Sequence, residues 1–600
     1  MRGITAIVCA ILLGSLFQIK ATELGWEFCA RKKHSLRAIF EAQAESRKNG
    51  SGNLRQYAPD RRIDVSHLKL ELDPDFATRS IAGVATISFS PIAKPLTEMR
   101  LDAVDLDIAE VTATTAIKDW HVALEHLAIE FEKPIPVGVE TRVTVTYQVE
   151  PKEGLYFRTA AMGYPDGDDH LFTQGEPEKH RHWFPSYDYP NERFTTEVIC
   201  RVPEAMTVIS NGRLIDDSVE EGVRSVHWYQ EEEHVNYLLS VVAGHFEKLE
   251  GQFRDLELAF LTPPSEFAVA ANSFRDTAAI LEFFESEIGV GYPWNKYYSI
   301  CVSDFPYSGM ENTTVTTLTT RTLFPDETEN IRTTHRLDAH EIAHQWFGNL
   351  VTCKDWSQLW LNEGFATYYT HLYEEEKSGR EAMLYQLYLD ADRVLAQTDT
   401  KPMVWRDYSR PWEQFDYRAY PKGAWILHMI RCELGPELFR ESIREYLEEH
   451  RNTDVVTEDL NEILEETSGR NWDRFFDQWV YHGGTPQLNV EYRYDGSEKA
   501  AKFKFKQAQE IGDEVLAFHL DIPIRLFPDE GEPINFIAEL RGVEDEFSFP
   551  IESAPKGVRL DPDYTLLVSF NVELPNPLLE YQIGNQADMM GRLFAAKQLG

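Results

Sequence analysis

Six hundred residues exceed what one hydrophobic core organises at roughly 100 to 200 residues per domain, so the chain reads as three or more domains. With 43% hydrophobic and 26% charged residues it has ample material for buried cores, which excludes a disordered chain. The formal charge of −40, from 99 Asp and Glu against 59 Lys and Arg, repels phosphate backbones and sets nucleic-acid binding aside, although charge alone assigns no substrate.

At the N-terminus, Met1-Arg2-Gly3 precedes an apolar run from Ile4 to Phe17 and a polar stretch from Gln18 to Glu23, the pattern of a signal peptide cleaved near Ala21. The run falls short of the ~20 residues of a membrane helix. No membrane span is expected after cleavage, an uncleaved anchor is the alternative, and export to a periplasm or the cell exterior is the expected localisation. Residues 22–56 show little periodic apolar pattern and read as a linker.

Alternation begins near Ile63, with Leu68, Leu70 and Leu72, then Ala85, Ile87 and Phe89, then Val143, Val145, Tyr147 and Val149. Period two means strands with one buried face, and turn residues such as Asp73-Pro74 and Gly138 between them predict an antiparallel β domain over residues 57–250. Phe274, Leu281, Phe284 and Ile288 then change to helical spacing. Further helices are expected near 333–347, 363–376, 380–396, 421–434, 436–450, 457–467 and 471–481, so residues 251–485 form a mainly α domain. Alternation returns after Gly483-Gly484 and Pro486, at Val490, Tyr492 and Tyr494 and at Leu520, Ile522, Ile524 and Leu526, predicting a β-sandwich over 486–573. Residues 574–600 look helical and resemble the opening of a helical repeat. Cys9, Cys29, Cys200, Cys301, Cys353 and Cys432 form no CxxC pair and no disulfide framework, so buried unpaired thiols are expected.

The chemistry concentrates in His340-Glu341-Ile342-Ala343-His344. A spacing of four positions puts both imidazoles on one helix face, able to grip one metal ion, and Glu341 is placed to act on water beside it as a general base. Chance supplies such a string roughly 0.05 times in a chain with this many histidines. A third ligand candidate follows His344 after eighteen intervening residues: Glu363, within Trp360-Leu361-Asn362-Glu363-Gly364. Two imidazoles and one carboxylate leave a position open, as one catalytic Zn2+ per chain requires, whereas a closed structural site favours four protein ligands. Earlier, Ser308-Gly309-Met310-Glu311-Asn312 follows a strand-like stretch; a glycine beside an exposed carboxylate at a strand edge is suited to hold a peptide backbone and its positive end.

Taken together, G-M-E-N, H-E-x-x-H and a glutamate within W-L-N-E-G-F-A resemble the aminopeptidase N family of zinc metallopeptidases. Gln174-Gly175-Glu176-Pro177 is similar to that family's Q-x-E-P segment, and Tyr420-Pro421-Lys422-Gly423-Ala424 to its tyrosine-x-K-G-A motif. The resemblance implies a multidomain α+β fold: an N-terminal β domain, a thermolysin-like catalytic domain and a C-terminal β-sandwich. It implies zinc on His340, His344 and Glu363, with Glu341 as base and Tyr420 as oxyanion donor, Tyr417 competing for that place three residues earlier. It further implies that Glu176 and Glu311, with Gln174, Gly309 and Met310 beside them, receive the free α-amino group of a peptide substrate. The oligomeric state is left open.

The loop departs from the family pattern by reading S-G-M-E-N where many relatives have G-A-M-E-N, which concerns the pocket at Gly309. A leukotriene-hydrolase-like bifunctional enzyme shares the zinc core but has glutamine in place of Glu176. An endopeptidase has no use for Glu176 and Glu311, and a noncatalytic peptide-binding scaffold is the remaining alternative. His180, His182 and His335 read as structural histidines.

Overall fold

The computed structural model describes residues 55–599 except Leu124, so the signal-peptide segment and nearly all of the linker lie outside the described residues. Among the described residues no helix is long and apolar enough to cross a membrane.

The N-terminal region is built on a seven-stranded sheet in the order Arg213–Glu220, Val223–Val235, Arg193–Pro203, Ile63–Asp75, Ser80–Pro91, Thr141–Val149, Asp107–Ala113. The alternation read from sequence is the pleat of this sheet: Leu68, Leu70, Leu72, Ile87, Phe89, Val143 and Val145 all face the core. One pairing, Ile63–Asp75 with Arg193–Pro203, is parallel in an otherwise antiparallel sheet. A second sheet, Thr207–Ser210, Val241–Gly244, His170–Thr173 and Leu155–Arg158, matters more for the site. Its strand His170–Thr173 is wholly buried and delivers Gln174, Gly175 and Glu176 from its end.

Next comes a five-stranded sheet, Glu247–Phe253, Leu256–Thr262, Lys296–Val302, Val315–Thr319 and the two-residue edge Gly309–Met310; its first strand starts ahead of the boundary expected at 250. Every residue of Lys296–Val302 is buried, as suits a strand with parallel neighbours on both sides and packing on both faces. The α-helices longer than one turn are α1 (Thr277–Ile288), α2 (His335–Ala343), α3 (Trp360–Ser378), α4 (Arg380–Leu395), α5 (Gly423–Leu434), α6 (Pro436–Glu449) and α7 (Thr457–Ser468). The helix expected at 421–434 is regular from Gly423 and is entered through a widened helical turn. Pro421 has no N–H to donate, and the turn Arg418–Lys422 is widened, with the Lys422 amide reaching back to the Tyr417 carbonyl at 3.0 Å.

After α7, the sheets Glu544–Pro550/Ala500–Gln507/Gln487–Asp495/Ser569–Val572 and Ile534–Leu540/Leu520–Phe527/Gly557–Leu560 face each other as a sandwich. Phe503, Phe505, Ile522, Ile524 and Leu526 fill it, in one core continuous with the helices. Two further helices, α8 (Asn576–Gly584) and α9 (Met589–Leu599), occupy the expected helical tail. Cys200, Cys301 and Cys353 are buried free thiols. Cys432 departs from expectation: it is free but exposed, because α5 emerges from the core after Ile430.

Candidate active site

Five segments converge. His170–Thr173 carries Glu176, the sheet edge Gly309–Met310 leads into Glu311, α2 carries His340 and Glu341 and ends at His344, α3 carries Glu363, and the widened turn before α5 carries Tyr420. His340 Nε2, His344 Nε2 and Glu363 Oε2 stand 3.2 Å from one another in each pairing. A tetrahedral zinc with bonds of ~2.0–2.1 Å has ligand edges of about 3.3–3.4 Å, so the triangle fits. His344 Nδ1 lies 2.9 Å from the Phe347 carbonyl, which can only accept, so Nδ1 carries a hydrogen and Nε2 is the nitrogen turned to the metal position.

The electrostatics suit a cation at this position. Burial works against an ionised Glu363, yet His344 and the hydrogen bonds from both imidazoles hold its carboxyl down at about 2. Burial would likewise depress His344, but the carboxylates of Glu311 and Glu363 outweigh it and push the imidazole up to about 10. A proton on His344 here answers the same field that a metal ion answers.

Glycines fix the distance between Glu363 and Tyr420. A Cβ on Gly364 would lie 2.9 Å from the Gly423 Cα, and one on Gly423 would lie 2.8 Å from the Gly364 Cα. The backbones of α3 and of the turn entering α5 therefore touch, which only glycine at both positions permits. The outcome is a hydrogen bond of 2.9 Å from the Tyr420 hydroxyl to Glu363 Oε1, with the phenol ring stacked on His340 at 6.2 Å. Tyr417, the competing tyrosine, donates its hydroxyl to Asp399 at 2.8 Å instead.

Opposite this group stand Glu176 and Glu311, 6% and 3% exposed, and each has one carboxylate oxygen that accepts no hydrogen bond from the protein. Two such oxygens, buried and unpartnered, are costly unless a donor enters. Glu311, Glu341 and His344 have ligating atoms within 4.8 Å of one another, so Glu311 adjoins the candidate metal position. Burial, reinforced by neighbouring carboxylates, pushes Glu176 and Glu341 well above the usual carboxylate range and Glu311 up to about 7. Glu311 is thus buried, not exposed as its loop context suggests. Asn312 donates to the carbonyls of Leu238 and Leu239, which draws the N-terminal domain over the loop. Gln174 donates to Met310 Sδ at 3.1 Å, and a Cβ on Gly309 would fall 2.0 Å from Glu341 Oε1. A side chain at position 309 would therefore meet the carboxylate of Glu341.

Several residues of the site went unseen in the sequence. Gln345 and Asn349 donate to the Glu311 carbonyl, and the Tyr237 hydroxyl lies between the Gly348 carbonyl and the Asn362 amide. Their signal was faint: polar residues at buried positions directly after the histidine pair. His180 accepts from Trp183 Nε1 and His335 contacts Glu374, both away from the metal position.

Residues 272–479 match the Peptidase family M1 domain and residues 64–238 the Peptidase M1 N-terminal domain, together well over half of the chain. The chain belongs to peptidase family M1. Among M1 relatives it is 26% identical to aminopeptidase M1 of Arabidopsis thaliana over 487 residues, 77% of this chain and 54% of that one. It is 27% identical to leucyl aminopeptidase of Saccharolobus solfataricus over 441 residues, 71% and 54% of the two chains. The M1 fold is shared with the crystal structure of Legionella pneumophila aminopeptidase A in complex with aspartic acid, with TM-score 0.78 and 21% identity over 90% of this chain and 63% of that one. The chain spans about half the length of the curated relatives it matches.

Proposed function

We propose that this M1 chain is a zinc aminopeptidase that hydrolyses the N-terminal peptide bond of peptides. The observation that carries the reading is the pair of buried, unpartnered carboxylate oxygens of Glu176 and Glu311 beside the His340, His344 and Glu363 triangle. An ammonium has the charge and the donors that both oxygens lack. Anchored there, a peptide presents its first bond, and no later one, to the metal position.

Zinc held by His340, His344 and Glu363 would supply Lewis acidity, polarising the scissile carbonyl and making water acidic near neutral pH. Glu341 accepts the proton of the attacking water and returns it to the leaving amine. Tyr420 offers its hydroxyl hydrogen, now shared with Glu363, to the oxygen on which negative charge develops. Charge balance supports these roles. Glu176, Glu311, Glu341 and Glu363 crowd one buried site, and a dication with one ammonium leaves a single negative charge, which the proton taken by Glu341 removes. The sequence pattern from Met1 to Phe17 supports placing this activity outside the cytoplasm.

A panel of aminoacyl fluorogenic amides, free and N-acetylated, with and without a chelator, tests the reading. Free amides should be cleaved and a chelator should stop it. Cleavage of the acetylated set would overturn the exopeptidase assignment.

A further inference from the structure

We propose that Gln345 and Asn349 are positioning residues that set where a substrate's amine stands relative to the metal triad, an inference that rests on the ammonium-anchor reading of Glu311 given above.

The Glu311 carbonyl receives two side-chain amides, Gln345 Nε2 at 3.0 Å and Asn349 Nδ2 at 2.8 Å. Both amides are fully buried. A carbonyl has two lone pairs, so this one is saturated and its peptide plane has one orientation. The side chain of the residue held in this way has its carboxylate within 4.8 Å of ligating atoms of Glu341 and His344. Gln345 also uses its other end, accepting from the Thr314 amide at 3.2 Å, and so straps both ends of the Glu311–Thr314 turn. Thr314 holds φ of 68°, a left-handed conformation that a β-branched residue adopts only under constraint. The strap comes from the chain that ligates the metal: Gln345 is the residue after His344, and the Trp294 indole donates to the Gln345 carbonyl at 3.0 Å to hold that backbone. Any displacement of His344 is thereby passed to Glu311.

These amides do more than keep the loop folded, because other groups already do that. Asn211 donates to the Thr313 carbonyl at 2.6 Å, the Gly212 amide donates to Thr314 Oγ1 at 2.8 Å, and Met310 pairs with Thr317 across the sheet edge. Removing one amide leaves these bonds and the second amide in place, while the Glu311 peptide gains freedom to rotate.

The test compares two inhibitors on the zinc-loaded full chain: leucine hydroxamate and its des-amino analogue, 4-methylpentanoyl hydroxamate. Both present the same metal-binding group, and only the first carries an ammonium. Inhibition constants, zinc content by mass spectrometry and thermal melting are measured for the native chain, Gln345→Met and Asn349→Asp. In the native chain the amine-bearing probe binds more tightly. That preference falls about tenfold in Asn349→Asp, the size of one lost buried hydrogen bond, and at least as far in Gln345→Met, which loses two, while zinc content and the des-amino constant stay put. An unchanged preference, or equal weakening of both probes, overturns the proposal. Failure of both variants to fold does the same, since it makes the amides structural. A native chain that does not discriminate between the probes removes the ammonium-anchor reading and this inference with it.

Discussion

His340, His344 and Glu363 come from the end of α2 and the start of α3, within one helical region, whereas Glu176 and Glu311 come from two sheets in two domains. The metal triad closes on itself, each donor 3.2 Å from the other two. The anchor leaves an oxygen of each carboxylate unpaired. The packing of α2 on α3 is enough to make the first, but the second exists only once the N-terminal domain is docked on the catalytic one. On the function proposed above, that difference separates the residues assigned to the metal from those assigned to the substrate, and variants should separate them too.

The largest effect is expected at Glu341. Replacing it with Gln keeps the volume and removes the base, so turnover should drop about 10²- to 10⁴-fold with zinc content unchanged. Retained turnover would remove the base from Glu341, and lost zinc would place it in the metal-holding set. Next in size is Glu311→Gln, which leaves the triangle intact but takes a charged partner from the amine. Its kcat/KM on free-amine amides should fall about 10- to 100-fold, the range for one charge-assisted hydrogen bond. If zinc is lost together with activity, the triad and the anchor are not separable.

How readable each part was follows the same division. The histidine pair and Glu363 stood out because a helix turns spacing into proximity, so His340 and His344 share a face whatever surrounds them. The strand faces at Leu68, Leu70 and Leu72 were equally plain, since period two follows from the pleat. Burial of Glu311 was not readable, because it depends on Asn312 reaching the Leu238 and Leu239 carbonyls far away in sequence. The helix expected from residue 421 is preceded by a widened helical turn, Arg418–Lys422, which sequence spacing does not show because it departs from the 3.6-residue period. The roles of Gln345 and Asn349 were out of reach because an amide in a sequence does not say which carbonyl it will meet.

A smaller effect tests the glycine contact that joins the triad to Tyr420. In Gly423→Ala the new methyl meets the Gly364 Cα, a backbone atom that cannot swing aside. Stability should fall by about 1–3 kcal/mol, as for an overpacked core, and the Tyr420 hydroxyl should lose its register on Glu363. Thermal melting and kcat measured on one preparation check both, and a variant as stable and active as the native chain would show that α3 and α5 can separate at no cost.

The smallest effect is a pH dependence, and it bears on the triad and the anchor at once. In the metal-free chain Glu311 holds its proton up to about pH 7, against an ordinary 4.5, because of burial and the Glu363 charge. Its contribution to stability is full below the unfolded value and is lost as pH rises through 7. His344, raised from 6.5 to about 10 by Glu311 and Glu363 against the cost of burial, contributes below about 6.5 and loses that contribution as pH rises through 10. Both groups therefore weaken the metal-free protein on going from about pH 6 to about pH 8.5. Glu363, depressed to about 2, loses its contribution only below 4.5 and does not enter this window. Zinc binds the deprotonated ligands, so it supplies by charge what the departing protons no longer supply. The melting temperature of zinc-loaded protein should thus exceed that of chelator-treated protein by a margin that widens between those two pH values. A margin that narrows would mean that the carboxylates are already ionised and neutralised without a metal, and that the anchor's unpaired oxygens have a partner other than the incoming amine.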